Sequence, residues 1–371
     1  MKPRTIAASI AAAALAVTLT SAPAQAHRQP HPPNPPVSHV KTLASGLASP
    51  LKVAFGPHGS YLVAESFIGK LTRISASGKK STMYSAPGHE IAGVSYRSGT
   101  TYFFDNEQGD NPEQPPTELL PALLKTIDQR GKVRTVADLS VFEKKYNPDR
   151  KTVYGVRKAS KACLAQAPEF GNTAEVYSHP YSSTATRNGL YVGDAGANTI
   201  LHVNKRGKVS LVKALPAEPI KITAAVAAAF AEMGAVVPNC MLGLTYYAQA
   251  VPTDVDVRGD WLYYTVLPGV PGEGLSTGKA YRMNLRSHHT QTLATGLSAP
   301  TGIAVSGTGG AYVSQLMGDG VVKLDRGRKI TVLKAPMTGD VAISGKRMAV
   351  TTNVMADPPE GGSLVTAKIR W

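Results

Sequence analysis

Short apolar segments recur along the chain, each followed by a polar turn with glycine and then by a second apolar segment. The clearest copies are SPLKVAFGPHGSYLVAES (49–66) and APTGIAVSGTGGAYVSQL (299–316). Apolar runs bounded by Gly, Asn and Asp at this spacing indicate β-hairpins. Four further copies occupy residues 92–107, 179–196, 251–268 and 338–353. The pattern therefore predicts six hairpins.

Most hairpins are followed by a third strand-like segment, such as KLTRISASGKK, and then by a fourth, such as VSLVKAL or ITVLKAP. Four antiparallel strands per repeat form one blade of a β-propeller. The sequence thus predicts an all-β fold, a six-bladed β-propeller over residues 40–371. The last repeat has only three evident strands, whereas Val40–Ala44 precedes the first repeat. We expect this strand to complete the sixth blade and leave no exposed edge.

Four segments exceed the length that the repeat requires, and their positions place all of them on one face of the ring. They span residues 108–121, 141–176, 214–250 and 268–278. Loops longer than about 12–15 residues are usually functional or disordered. The Ala-rich stretch ITAAVAAAFAEM (222–233) predicts a short helix, and residues 156–166 predict a second. We therefore expect helical and loop insertions to cap one face of the propeller.

The chain has two cysteines, Cys163 and Cys240, one in each of the two longest insertions. In an exported protein, such a pair is expected to form a disulfide, with two free thiols as the alternative. A bond between them would tie both insertions into one cap. Because no C-x-x-C motif is present, redox chemistry has no support.

The first 26 residues have the pattern of a secretory signal peptide. Lys2 and Arg4 precede an apolar run (6–19) and the small residues Ala24-Gln25-Ala26. The apolar run is shorter than the roughly 20 residues that a membrane-spanning helix needs. Residues 27–39 are Pro-rich and predict an extended linker. We therefore expect a secreted or otherwise extracytoplasmic protein without a transmembrane segment.

The chain is basic, with a formal net charge of +15, which becomes +13 when Lys2 and Arg4 leave with the signal peptide. The remaining cations are spread along the whole chain and form no block. Nucleic-acid binding usually needs a basic stripe and a recognisable motif, so it is not expected here. Attraction to an anionic cell envelope is the simpler explanation of the charge.

Eight polar residues are candidates for a ligand site, because first strands begin and second strands end at the same mouth of a propeller channel. They are Glu65, Glu90, Asp105, Asn106, His179, Asp194, Asn198 and Asp254. Carboxylates, amides and an imidazole suit a divalent cation such as calcium, or acid–base chemistry on a substrate. The cofactor prediction is therefore a divalent cation, with its ligands unassigned.

Three of these residues, His179, Asp194 and Asp254, are candidates for catalysis if their side chains meet at one channel mouth. Each also has a structural alternative: packing beside Pro180 for His179, and capping of a turn or strand start for the aspartates. The candidates for binding are Glu65, Asp105, Asn106 and Asn198. The sequence contains no zinc-protease motif, phosphate-binding glycine loop or G-x-S-x-G elbow.

Several stretches resemble the ScyD/ScyE family of exported propellers. They include YNPDRKTVYG (146–155), ACLAQAPEF (162–170) and PNCMLGLTYYAQAVPTDVDV (238–257), and the similarity extends over nearly the whole mature chain. The resemblance implies a six-bladed ring of the NHL type. Where such propellers commonly read GPDG, this chain has GPHG (56–59) and VRGD (257–260), both at turn positions. The family takes its name from members encoded beside genes for the pigment scytonemin, and a name alone transfers no activity.

Two functions are consistent with these features. The first is a binding scaffold whose capped face holds a small molecule, a glycan or another exported protein. The second is an enzyme, a metal-assisted lyase or lactone hydrolase, with His179 or a carboxylate as its base beside a cation. Because no catalytic constellation is evident, the sequence favours the binding scaffold and leaves enzymatic activity open.

Overall fold

Each of the six predicted hairpins forms the two inner strands of a four-stranded antiparallel sheet. The computed structural model describes residues 36–109, 118–171, 175–356 and 360–370. Within these ranges, six four-stranded sheets form the blades of a six-bladed β-propeller, and one three-stranded sheet lies outside them. The predicted fold class is thus confirmed.

The strands and helices follow one another in blade order. The segment before blade 1 and blades 1 and 2 comprise β1 (Val37–Leu47), β2 (Pro50–Phe55), β3 (Tyr61–Glu65), β4 (Lys70–Ile74), β5 (Lys80–Ser85), β6 (His89–Arg97), β7 (Thr100–Glu107), β8 (Ala122–Ile127) and β9 (Val133–Asp138). The first cap insertion and blade 3 comprise α1 (Leu139–Tyr146), β10 (Gly155–Val156), α2 (Lys161–Leu164), β11 (Pro180–Thr186), β12 (Gly189–Asp194), β13 (Thr199–Asn204) and β14 (Val209–Ala214).

The second half of the chain continues this order. The second cap insertion and blade 4 comprise β15 (Glu218–Lys221), α3 (Ala224–Glu232), β16 (Thr245–Ala248), β17 (Ala250–Arg258), β18 (Trp261–Pro268), β19 (Gly278–Asn284) and β20 (Thr290–Leu297). Blades 5 and 6 comprise β21 (Pro300–Val305), β22 (Ala311–Gln315), β23 (Gly320–Asp325), β24 (Arg328–Lys334), β25 (Val341–Ser344), β26 (Arg347–Thr352) and β27 (Gly362–Ile369). Short 3₁₀ turns occupy Pro57–Gly59, Ser66–Ile68, Pro168–Phe170, Asn239–Met241 and Gly272–Gly274.

The sixth blade is completed by β1, the first strand among the described residues. Its strands lie in the order β25, β26, β27 and β1, so β1 is the outermost. β1 runs antiparallel to β27, with Val37 opposite Ile369 and Leu47 opposite Gly362. The expected closure is confirmed, although the strand begins at Val37, earlier than the predicted Val40.

The hydrophobic core lies between neighbouring blades. Leu62 and Ala64 of β3 pack in one cluster with Ile91 of β6 and Phe103 of β7. Because each blade is covered by a neighbour on both faces, strands near the axis bury consecutive residues. All five residues of β3 are buried. This packing explains why the inner strands are apolar runs rather than strict apolar–polar alternations.

The insertions build a cap that the sequence predicted only in part. Helix α3 coincides with the predicted helix at 222–233, whereas α2 covers only four residues of the predicted 156–166 helix. Helix α1 and the sheet β10–β16–β15 were not predicted. Most of the 108–121 insertion lies outside the described residues.

The cap has a small core of its own. The rings of Phe170, Phe230 and Tyr246 meet edge to face, with centroids 4.9–6.2 Å apart. Beside them, the Cys163–Cys240 disulfide joins α2 to the 3₁₀ turn at Asn239–Met241. The two long insertions therefore form one covalently linked unit.

The disulfide is consistent with an extracytoplasmic protein. The predicted signal peptide (1–26) and most of the predicted linker (27–39) lie outside the described residues. In the part of the chain that the structure describes, no helix combines the length and the apolar character needed to span a membrane.

Removal of the disulfide by Cys163→Ser together with Cys240→Ser is expected to lower the free energy of unfolding by about 2–5 kcal/mol. The bond links residues 77 positions apart, so it restricts a long loop in the unfolded chain. Urea unfolding of the variant and of the wild type measures the difference. Reductant should destabilise only the wild type, and equal unfolding midpoints for both proteins would contradict the prediction.

Candidate functional site

The channel is bordered by the open edges of six strands. The innermost strands, β2, β6, β11, β17, β21 and β25, each lie at the end of their sheet and have one neighbour within it. Their other edge presents backbone N–H and C=O groups that no strand pairs. Buried backbone groups need hydrogen-bond partners, which side chains or water supply.

Three aspartates supply acceptors to these edges. A carboxylate oxygen of Asp254 accepts from the Ile303 N–H at 2.6 Å, and one of Asp256 accepts from the Val305 N–H at 2.8 Å. Asp340 accepts from the Val53 N–H at 2.9 Å. Each aspartate thereby binds the inner strand of the next blade. The Asp-x-Asp pattern of β17 is a two-point connection between blades 4 and 5.

Lys52 crosses the channel and supplies the matching donor. Its side chain is only 2% exposed, and its Nζ donates to the carbonyl oxygens of Thr253 at 2.8 Å and Thr301 at 2.7 Å. The same Nζ lies 3.3 Å from Asp254 Oδ1 and 4.8 Å from the ring centroid of Tyr181. One residue of blade 1 therefore contacts blades 3, 4 and 5.

The channel carboxylates are poorly solvated. Burial raises the pKa of Asp254 and of Asp340, and the charge of Lys52 opposes this increase in both. Burial also raises the pKa of Asp256 to about 7. Lys52 was not among the candidates, although a lysine inside the apolar run PLKVAF was a visible signal for it.

At the cap face of the channel, His179 and Glu90 form a second polar pair. His179 precedes β11 and Glu90 lies at the start of β6, and the His179 Nε2 and the Glu90 Oε2 share a hydrogen bond. The His179 side chain is 25% exposed and the Glu90 side chain 6%. The other oxygen of Glu90, Oε1, has no hydrogen-bond partner among the described residues.

The contact between Glu90 and His179 shifts the pKa of each residue so that its charged form is favoured. Burial alone would raise the pKa of Glu90, yet the charge and hydrogen bond of His179, with the amides of Asn106 and Gln108, hold it below its usual value. Burial alone would lower the pKa of His179, but the charge and hydrogen bond of Glu90 raise it. The pair therefore favours an imidazolium–carboxylate state.

Asp194 fixes the segment that carries His179. Its Oδ1 accepts from the backbone N–H of His179 at 2.7 Å and of Ala197 at 3.1 Å. Its Oδ2 accepts from the Ser178 hydroxyl at 2.7 Å. With both oxygens engaged inside the protein, Asp194 positions His179 rather than presenting a free carboxylate.

Other predicted site residues also have internal partners. Glu65 accepts from the Ala48 N–H at 2.8 Å and pairs with Lys70 at 2.8 Å. Asp105 accepts from Tyr84, His89 and Lys125 at 2.5–2.6 Å. These bonds join the two carboxylates to their own or the neighbouring blade.

The two predicted amides face the cap. Asn106 donates to the Pro180 carbonyl at 3.2 Å, beside the Glu90–His179 pair. Asn198 donates to Asp149 at 3.2 Å and to Gln249 at 3.4 Å. Both side chains keep a buried oxygen that no described residue contacts through a hydrogen bond.

The structure thus brings His179, Asp194, Glu90 and Asn106 together at the cap face. Asp254 belongs instead to the Lys52 network in the channel. Among the described residues, no three His, Cys, Asp or Glu side chains are grouped as ligands of one metal ion. The divalent cation remains a prediction.

A cavity of about 420 Å³ occupies the channel at the end opposite to the cap. It is lined by the later residues of the inner strands of all six blades, including Phe55, Tyr96, Thr184 and Asp256, and by Arg347 at the start of β26. Lys52 also lines it. We name it the hairpin-end cavity, because the turns between first and second strands surround it. The sequence placed the ligand site only at the cap end.

The substitution Lys52→Met is expected to lower the free energy of unfolding by about 3–5 kcal/mol, since it leaves buried acceptors and Asp254 without their cation. Denaturant unfolding at neutral pH measures the loss. Lys70→Met is the matched control, because Lys70 also pairs with a carboxylate but its side chain is 31% exposed. The control should change stability by about 0–1 kcal/mol. Equal effects of the two substitutions would show that the channel network is not structural.

The substitution Glu90→Gln is expected to lower the pKa of His179, because the carboxylate charge is lost while burial still disfavours the imidazolium. An NMR titration of the imidazole measures the change. Glu107→Gln, which alters an exposed carboxylate of the same blade, should leave the titration unchanged. An unchanged His179 titration in the Glu90 variant would contradict the assigned pairing.

The same pair predicts a stability optimum. The Glu90 contribution is complete above the usual carboxyl pKa of 4.5 and is lost as the pH falls through the lowered value. The His179 contribution is complete below the usual imidazole pKa of 6.5 and is lost as the pH rises through the raised value. The difference in unfolding free energy between wild type and Glu90→Gln should therefore be largest between these two pH values.

Comparison with known proteins defines the fold and goes no further. No family model matches the sequence, and no curated protein matches it. The structure is similar to the PQQ-bound aldose sugar dehydrogenase of Streptomyces coelicolor, at 14% identity and a TM-score of 0.53 over 91% of this chain and 100% of that one.

Two further solved structures are similar with nearly the same TM-score. A luciferin-regenerating enzyme shares 10% identity at a TM-score of 0.53, over 89% of this chain and 95% of that chain. A putative glucose dehydrogenase of Thermus thermophilus shares 15% identity at a TM-score of 0.52, over 89% and 99%. At such identities the likeness extends to the fold alone. The chain is a six-bladed β-propeller, and the comparisons assign it to no family.

Proposed function

We propose that the protein is an exported binding propeller that holds a small hydroxylated molecule, such as the end of a glycan, in the hairpin-end cavity. The observation that carries this proposal is the state of the predicted catalytic carboxylates. Asp194 and Asp254 have both oxygens engaged by internal donors. A general base needs a lone pair that reaches the substrate, so these two residues serve the scaffold.

The size of the hairpin-end cavity supports ligand binding. Pockets for small ligands typically measure about 300–1,000 Å³, and this cavity of about 420 Å³ falls within that range. It opens on the side of the ring away from the cap. A ligand can therefore enter without displacement of the disulfide-linked insertions.

The lining of the cavity suits a molecule with hydroxyl groups. Asp256 lines the cavity, where its carboxylate also accepts from the Val305 N–H, the Val257 N–H and the Thr184 hydroxyl. Arg347 stacks 4.8 Å above the Phe55 ring at the rim and presents donors beside an aromatic face. Carboxylate, guanidinium and aromatic groups together match the hydroxyls and C–H faces of a sugar.

The ScyD/ScyE resemblance supports export and a ring of this type, and the disulfide supports an extracytoplasmic location. Neither names the ligand. The binding proposal therefore depends on the hairpin-end cavity and on the internal hydrogen bonds of Asp194 and Asp254. Titration of the cavity with saccharides tests it.

The substitution Ser344→Trp is expected to weaken binding of a hydroxylated ligand at least about tenfold, or about 1.4 kcal/mol. Ser344 is exposed and lines the cavity, so an indole at this position blocks the entrance without burial in the core. Calorimetric titration with mono- and disaccharides measures the affinity. Thr308→Trp is the matched control on the neighbouring hairpin, outside the cavity lining.

Two outcomes would overturn the binding proposal. One is the absence of binding to any saccharide in the panel, and the other is equal affinity in Ser344→Trp and the wild type. Retained binding in Thr308→Trp is required for the loss to be assigned to the cavity.

A second function, acid–base catalysis at the cap face, is favoured by one specific observation. Glu90 Oε1 is buried without a hydrogen-bond partner among the described residues, next to a His179 ring that is a quarter exposed. Such a pair can hold and transfer a proton, as a lyase or lactone hydrolase requires. Glu90→Gln separates the two functions, because it should abolish turnover at the cap face and leave saccharide binding intact.

A further inference from the structure

Beneath the cap, buried oxygen atoms from two separate segments lack hydrogen-bond partners. Glu143 Oε1, Asp149 Oδ1 and Asn198 Oδ1 are inaccessible to solvent, and none accepts a hydrogen bond among the described residues. The three residues are only 1–2% exposed. We refer to these three atoms, with the equally unpartnered Asn147 Oδ1, as the oxygen cluster. Buried polar atoms are normally paired, so four in one region require an explanation.

The local structure explains how the first segment presents its oxygens. Glu143 lies within α1, and Asn147 ends that helix in a left-handed conformation, with its N–H bonded to the Glu143 carbonyl at 2.8 Å. Asn147 therefore follows the last helical residue directly and belongs to the same short segment as Glu143. Asp149 follows in the next turn.

The second segment is the turn between β12 and β13, which carries Asn198. The Asn198 Nδ2 donates to the second oxygen of Asp149 at 3.2 Å and to Gln249 at 3.4 Å. The Tyr154 hydroxyl donates to that same Asp149 oxygen at 2.8 Å. Because the Asp149 carboxylate accepts, its contact with Asn198 assigns the amide nitrogen, and Asp149 Oδ1 keeps no hydrogen-bond partner among the described residues.

The region is strongly negative. Glu143 interacts electrostatically with Asp149 and with the fully buried Asp194. No Lys, Arg or His of the described chain forms an ion pair with any of these three carboxylates. A positive charge at this position would offset the repulsion among these carboxylates.

A water molecule does not satisfy this arrangement. A single water molecule can donate two hydrogen bonds, whereas the cluster presents four unpartnered oxygens, and water neutralises no charge. Calcium takes six to eight oxygen ligands from carboxylates, amide carbonyls and water in flexible geometry. Magnesium demands a near-ideal octahedron and keeps several waters, which suits a buried amide-rich site less well.

We propose that Glu143, Asp149, Asn198 and Asn147 bind one Ca²⁺ ion that fastens the first cap insertion to blade 3. The site has two carboxylates, so it falls outside any grouping of three acidic, His or Cys ligands and is completed by amide oxygens. It is independent of the hairpin-end cavity. Asp194 contributes charge only, because its oxygens bind Ser178, His179 and Ala197.

The test uses the full mature chain after treatment with a chelator and its removal. Calorimetric titration with CaCl₂ is expected to show one ion per chain, and the melting temperature should rise with calcium more than with MgCl₂. Terbium gives a second readout, because the Tyr154 ring is adjacent to the site and should sensitise its emission. Excess calcium should displace the terbium signal.

Variants link the ion to these residues. Glu143→Gln and Asp149→Asn should each weaken calcium binding at least about tenfold and remove the calcium-dependent shift in melting temperature. Glu169→Gln, an exposed carboxylate on the same insertion, should bind as the wild type does. Because glutamine mimics a protonated Glu143, this variant is expected to fold in the absence of the metal.

Three results would overturn the proposal. The first is a wild type without calorimetric heat, terbium emission or melting shift, which would mean that Glu143 is simply a protonated buried acid. The second is calcium binding that survives both site variants, which would place the ion elsewhere. The third is equal loss of binding in Glu169→Gln, which would indicate general surface attraction.

Discussion

Six strand edges face one another around the channel, and their unpaired backbone groups are the constraint on which the ring depends. Asp254, Asp256 and Asp340 accept from the N–H groups of the next blade, and Lys52 donates to two carbonyls across the axis. Each bond joins different blades. The centre of the propeller is therefore a polar network, while the apolar clusters lie between the blades.

This constraint also limits which residues remain for function. A carboxylate that accepts from a strand edge is committed to the scaffold, as Asp254 illustrates, because its two oxygens bind the Ile303 N–H and pair with Lys52. The side chains that remain able to contact a ligand lie at the two ends of the channel. Glu90 and His179 lie at the cap end, and Arg347 and Phe55 lie at the rim of the hairpin-end cavity. The two faces of one ring thus present different chemistry.

The sequence predicted the features that depend on neighbouring residues. Hairpins such as 49–66 are local, so their apolar runs and glycine turns identified the blades and their number. Lys52, Glu143 and the sheet of β10, β16 and β15 were missed, because each owes its role to partners far along the chain. Asp254 was a candidate from its position in the repeat, but its partner Ile303 follows from the fold and not from any motif.

Because β1 pairs with β27, closure of the ring requires two segments that are synthesised far apart in time. Val37 lies opposite Ile369, so β1 has no partner strand until β27 has been synthesised. Pairing between distant positions is slow, and an open strand edge can meanwhile associate with other chains. If β27 were joined covalently to β1 and the chain opened between two blades, all six blades would become local structures. In the native connectivity, the ring closes only when β27 pairs with β1.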